Sequence, residues 1–126
     1  MVTEVTLPIL REGTGWGFEE FARRSGDFAI AAVTATVSIV DERAADVRVA
    51  VTGMGERPER MAAAEAHLTG RIWENDILTA AAALVSEEVE PTSELHGSVD
   101  YRRHLAGVLA GRALRTAWHR AQPQLV

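Results

Sequence analysis

The stretch Ala29-Ile30-Ala31-Ala32-Val33-Thr34-Ala35-Thr36-Val37-Ser38-Ile39-Val40 decides the fold. Ala31, Val33, Ala35, Val37 and Ile39 fall on one side, and Ala32, Thr34, Thr36 and Ser38 on the other. Period two held over that length predicts a long, half-buried antiparallel strand. Downstream, the polar run from Asp41 to Asp46 turns the chain. Val47, Val49 and Val51 then alternate with Arg48, Ala50 and Thr52 to give another strand. Upstream, the aromatic-rich segment from Trp16 to Arg24 predicts a first main strand, because aromatics favour extended, half-buried backbone. Residues 2–7 also alternate, but Pro8 excludes a central strand there. Residues 11–15 read as a flexible link. Gly13, Gly15 and Gly17 look like a phosphate loop only superficially, since no helix start follows them. They read as turn and close-packing glycines.

A meander of three strands with one apolar face needs a cover, and the second half supplies helices. Pro58 suits the first turn of a helix over 59–68 that Gly70 closes. Asn75 or Asp76 caps a second helix, in which Leu78, Ala82, Val85 and Val89 recur at helical spacing before Pro91. Ser98 caps a third, with Tyr101, Leu105, Val108, Leu109, Ala113 and Ala117 along one stripe. Gly107 and Gly111 on that helix let another element approach closely. The expected class is α+β: an antiparallel meander of about three main strands covered on one face by three helices.

The chain has 126 residues, enough for one domain with a modest core. An apolar share of 47% and a charged share of 25% fit a folded domain rather than a disordered one. No apolar run is long enough to cross a bilayer, and the opening residues do not form a signal peptide. A soluble, cytoplasmic domain with no membrane partner is expected. The net charge of −5 disfavours nucleic acid. Arg102, Arg103, Arg112, Arg115 and Arg120 read as a solvated or subunit-facing helix surface instead of a phosphate track. With no cysteine, the chain itself builds no disulfide, thiolate nucleophile or iron–sulfur site. All its cations are arginine, so lysine chemistry is excluded as well.

Candidate chemistry is sparse. His67, His96, His104 and His119 show no metal-ligand spacing, and no metal site is expected. Asp100 and His104, four apart, read as a surface helix pair. Ser98 with Asp100 lacks a glycine elbow and is explained by capping. Glu87, Glu88 and Glu90 form a solvated run near a helix C-terminus. Trp73 and Trp118 are packing or interface residues. No residue is assigned a catalytic role. The richest segment is Arg23-Arg24-Ser25-Gly26-Asp27: glycine and aspartate supply turn chemistry. The paired guanidinium groups beside one carboxylate either lock that turn or hold an anion.

Trp16-Gly17-Phe18-Glu19-Glu20-Phe21-Ala22-Arg23-Arg24-Ser25-Gly26-Asp27-Phe28-Ala29 resembles the opening of the C-terminal domain of the FAD-binding (medium) subunit of molybdenum hydroxylases. That family includes carbon monoxide dehydrogenase and the xanthine dehydrogenases. The resemblance continues in order through Val47 to Gly55, Arg57-Pro58, Ala63-Ala64-Glu65, His96 to Ala106 and Arg112-Ala113-Leu114. It implies that residues 1–10 are a linker strand leaving an FAD-binding region and that residues 11–126 are the C-terminal-type domain. It also implies a domain that walls the flavin and docks partner subunits for electron transfer from molybdopterin through iron–sulfur clusters to FAD. Val2, Phe18, Glu19, Arg23, Arg24 and Asp27 match positions beside the cofactor. In xanthine dehydrogenases the position of Glu19 is a flavin-contacting lysine, so the charge is reversed here. The family's pyrophosphate loops precede this region, which implies no tight FAD binding and no catalysis by the chain alone. A non-catalytic interaction or homodimerisation module of the same fold is the rival expectation.

Overall fold

The computed structural model describes residues 1–92 and 97–123. Four antiparallel strands, β1 (Thr14–Phe21), β2 (Ala31–Val40), β3 (Arg43–Thr52) and β4 (Glu59–Arg60), form one sheet in sequence order. Three helices follow: α1 (Ala62–Leu68), α2 (Asn75–Glu88) and α3 (Val99–Ala121). The α+β class expected from the sequence is the class observed. Helix α3 lies against β1 and β2, α1 lies against β3, and α2 rests on both of those helices.

Strand β2 follows its alternation: Ala31, Val33, Ala35 and Val37 are buried towards the helices. Its hairpin with β3 is tighter than the polar run suggested. Asp41 and Glu42 alone make the turn, both with positive φ of 50° and 62°. Two left-handed residues match the right-handed twist of the flanking strands, so pairing resumes at once and β3 starts at Arg43. The segment 59–60 is a second departure. Glu59 and Arg60 pair with β3 instead of opening α1. Glu65 explains why: its Oε1 accepts the Val49 amide at 2.9 Å and Arg60 Nε at 2.6 Å, while the Met61 amide reaches Val49 O at 2.8 Å. The edge of β3 is thereby satisfied before α1 begins.

Residues 1–10 enter no ladder and are exposed, so the strand expected over 2–7 is not formed. Alternation makes a strand only where a neighbour supplies hydrogen bonds. Thr14 and Gly15, expected in a flexible link, belong to β1. Gly15 and Gly17 face α3 so closely that a Cβ on Gly15 would strike Ala117 O, and one on Gly17 would strike Ala113 O. That contact sets the parity of β1. Trp16 and Phe18 consequently face outward, 50% and 52% exposed, and are not core residues. Arg120 crosses the strand edge to stack 3.9 Å over the Trp16 ring and donate to Trp16 O at 2.9 Å.

On α3, Ser98 accepts the Tyr101 amide at 3.1 Å, the cap its sequence indicated. Leu105, Leu109, Ala113, Leu114 and Ala117 enter the core. Val108, expected to join them, is half-buried in the groove towards α2. Gly107 permits that groove, because a Cβ there would meet Ser86 Oγ, which donates to Arg103 O at 2.9 Å. Glu88 is not merely solvated: its Oε2 accepts the Ala63 amide at 3.2 Å, an otherwise orphaned donor of α1. Trp73 and Trp118 stack at 4.6 Å between centroids, which makes them packing residues.

Two substitutions check this architecture by chemical denaturation. Gly17→Ala forces β1 away from α3 and should cost on the order of 3 kcal/mol, whereas Gly13→Ala, with open space around it, should cost about 1 kcal/mol for its positive φ. Leu114→Ala, at a fully buried position, should cost about 2–5 kcal/mol. Equal midpoints for the two glycine variants would contradict the close contact.

Candidate functional site

The site is built where β1 hands over to β2. Phe21 pairs with Ala31, and the Ile30 amide donates to Phe21 O at 2.8 Å, so residues 22–29 are pinched into a loop. Within it the Asp27 amide donates to Arg24 O at 3.1 Å, with Gly26 at φ 88°. A positive φ at the third residue is the requirement of a type II turn, and glycine meets it without strain. The turn is closed by backbone atoms and not by the Asp27 carboxylate, which corrects one of the two roles the sequence offered for it. Asp27 and Arg24 are exposed.

Beneath the loop, Gly53 leaves β3 with φ 87°, and a Cβ there would press on Ile30 O at 2.8 Å. Arg102 rises into this region from the first turn of α3 and is only 3% exposed. It donates through Nη1 to Thr92 O at 2.5 Å and through Nη2 to Gly53 O. One guanidinium thus ties together the start of α3, the end of β3 and the segment after α2. Arg102 Nε is buried without a partner.

Arg23, Arg24, Asp27, Phe28, Ile30 and Arg102 line a cleft of about 660 Å³. Three of the six residues matched to cofactor-adjacent positions, Arg23, Arg24 and Asp27, are therefore brought together. Phe18 and Glu19 sit on the strand leading to the loop, on opposite faces of the sheet: Phe18 outward, Glu19 half-buried on the helix side beside Val33. Val2 is 80% exposed in the N-terminal arm and does not line the cleft. Arg102 is the residue that sequence reasoning missed, since it was grouped with surface arginines. Its spacing gave the signal: Arg102 precedes Leu105, Leu109 and Ala113 by three, seven and eleven, on the buried stripe of α3. Arg103 also departs from a freely solvated role, donating to Val89 O at 3.3 Å. His96 lies outside the described residues.

The cleft carries positive charge, an exposed phenyl ring at Phe28 and a rigid floor. It can face a planar or anionic group. Gly15 and Gly17 cannot cradle a pyrophosphate, because the carbonyls of Ala117 and Ala113 occupy the space beside them. Among the described residues no group of three or more metal-ligating side chains converges, and no helix is long and apolar enough to cross a membrane.

Comparison with known proteins gives a consistent result. The family model described as CO dehydrogenase flavoprotein C-terminal domain matches residues 16–117. The chain is 29% identical over 120 residues to the carbon monoxide dehydrogenase medium chain of Hydrogenophaga pseudoflava, covering 95% of this chain and 42% of that protein. It is 36% identical over 114 residues to the nicotine 6-hydroxylase medium subunit of Paenarthrobacter nicotinovorans, covering 90% and 40%. Among solved structures, a chain of carbon monoxide dehydrogenase from Hydrogenophaga pseudoflava superposes with TM-score 0.86 at 33% identity, covering 90% of this chain and 40% of that one. Quinoline 2-oxidoreductase from Pseudomonas putida 86 gives TM-score 0.80 at 33% identity, covering 86% and 38%. The chain thus spans about two fifths of the length of these relatives. With most of its length matched, the chain belongs to the CO dehydrogenase flavoprotein C-terminal domain family.

Proposed function

We propose that this domain forms one wall of an FAD site in a molybdenum-hydroxylase-type dehydrogenase and helps to dock the subunits that carry molybdopterin and the iron–sulfur clusters. The observation that carries the reading is the cationic loop 22–29, held rigidly at the end of the sheet in a chain whose family is flavoprotein. FAD, when bound there, supplies the two-electron relay. The residues of this chain position and bias it: Arg23 and Arg24 place positive charge where a reduced, anionic ring is stabilised, while Glu19 opposes it. Phe28 offers apolar surface at the cleft. Residues 1–10, with Val5, Leu7 and Ile9 at 73%, 82% and 95% exposure, are the linker that buries against the flavin-binding region. A cytoplasmic location belongs to the same reading.

The fit is to an edge of the cofactor and not to the whole of it. A dinucleotide needs a pocket enclosing most of its surface and a glycine-rich turn for its pyrophosphate. This chain offers an open cleft, and its paired glycines are spent on α3. The rival reading, an interaction or homodimerisation module, draws support from Trp16 and Phe18, exposed on the outer sheet face beside the unpaired edge of β1.

Titration of FAD into the chain alone should leave flavin fluorescence and melting temperature unchanged. Adding the flavin-binding portion of a medium-chain relative should quench that fluorescence, and Arg23→Ala with Arg24→Ala should weaken the quenching. Yellow protein from the isolated chain would refute the wall model; a concentration-dependent dimer in sedimentation, indifferent to flavin and partner, would favour the rival.

A further inference from the structure

At the end of the sheet away from the arginine loop, a second cleft of about 1020 Å³ opens between the β2–β3 hairpin and the C-terminal end of α3. Its walls are apolar: Ile39 from β2, Ile72 ahead of α2, and the stacked indoles of Trp73 and Trp118. The indoles are only half-buried and Ile72 is 48% exposed, so this surface meets solvent. Backbone bonds fix it in place. The Ala44 amide donates to Arg71 O at 3.0 Å and the Gly70 amide to Ala44 O at 2.7 Å, which ties the segment before α2 to β3. The rim is acidic: Asp41 and Glu42 of the hairpin turn and Glu12 ahead of β1 line the cleft. None of them enters the ion pairs of the described residues, Arg48–Asp46 and Arg60–Glu65. Arg120 is the sole cation in the described lining, and its guanidinium is committed to the ring and carbonyl of Trp16. Arg43, next to the turn, donates to Gly70 O.

We infer that this cleft binds an organic cation, an ammonium group carried on an apolar or aromatic body. Aromatic walls with a few charged groups at one edge are the ordinary makeup of a small-molecule site. Charge selects the occupant. An ammonium gains from the carboxylates and from the negative face of an indole, whereas an anion meets three carboxylates. Geometry argues against a metal ion, since no three acidic or histidine side chains converge among the described residues. Carboxylates spread along a rim suit a bulky cation that needs no coordination shell. Glu42 adds to this: it holds φ 62° in a turn where glycine is the least strained residue, so a carboxylate is kept at the rim at some cost in stability. Strand β1 separates the cleft from loop 22–29, so the site stands whether or not the flavin reading does.

The test is isothermal titration of the full chain with benzyltrimethylammonium, tetramethylammonium and benzyl alcohol at constant ionic strength. Benzyltrimethylammonium should bind more tightly than either of the other two, which carry only its charge or only its ring. Asp41→Asn with Glu42→Gly, a pair that suits the backbone of the turn, should weaken it about tenfold. Glu87→Gln, an equal loss of charge per residue on exposed α2 surface outside the cleft, should leave affinity unchanged. Arg120→Gln removes the opposing cation and should tighten binding several-fold, a gain that loss of structure cannot mimic. Benzyl alcohol binding as well as the cation, no saturable binding up to about 10 mM, or equal losses in the turn and Glu87 variants would overturn the assignment. So would self-association in sedimentation that Ile72→Ser abolishes and the cation leaves untouched, which would give the cleft to a second copy of the chain.

Discussion

The structure depends on a contact between two backbones. Gly15 and Gly17 of β1 lie against the carbonyls of Ala117 and Ala113 of α3, with no side chain between them. Cores ordinarily keep sheet and helix apart by the thickness of their side chains; here alanine meets glycine and the gap closes. Much follows from that. The parity of β1 is fixed, so Trp16 and Phe18 must face away from the core, and the length of α3 is fixed relative to the sheet. Its first turn then arrives at the end of β3, where Arg102 meets Gly53 O.

Arg102 converts this packing into a site. Its bonds to Gly53 O and Thr92 O pin two chain segments that have no regular structure of their own. Gly53 in turn supports Ile30, which closes the loop that carries Arg23 and Arg24. The arginine loop is therefore rigid at its base and exposed at its tip, an arrangement suited to meeting a ligand or a neighbouring domain. Burying a cation there costs stability that packing must offset, so the arginine makes sense as part of a site.

Much of this was legible in the residues. Period two in β2 and the capping serine of α3 gave the architecture, because both are local signals that tertiary contacts reinforce. Gly15 and Gly17 were recognisable as close-packing glycines, but nothing local said that α3 was their partner. The pairing of Glu59 and Arg60 with β3 was hidden because Glu65, a residue inside the next helix, supplies the acceptor that makes it stable. Turn chemistry misled in another way. Asp27 has the right residue type to lock its turn, yet glycine at Gly26 already allows the backbone to do so. Arg102 was concealed by residue type alone: hydrophobic periodicity included its position, and charge argued for the surface.

The central claim is that the loop between β1 and β2 faces a cofactor held mainly by other polypeptide. Amide hydrogen exchange on this chain mixed with a flavin-loaded medium-chain binding region tests it most directly. The account predicts that protection rises at residues 22–30 and falls back when the flavin is removed from the partner. Protection confined to the outer face of β1, around Trp16 and Phe18, and indifferent to flavin would contradict it.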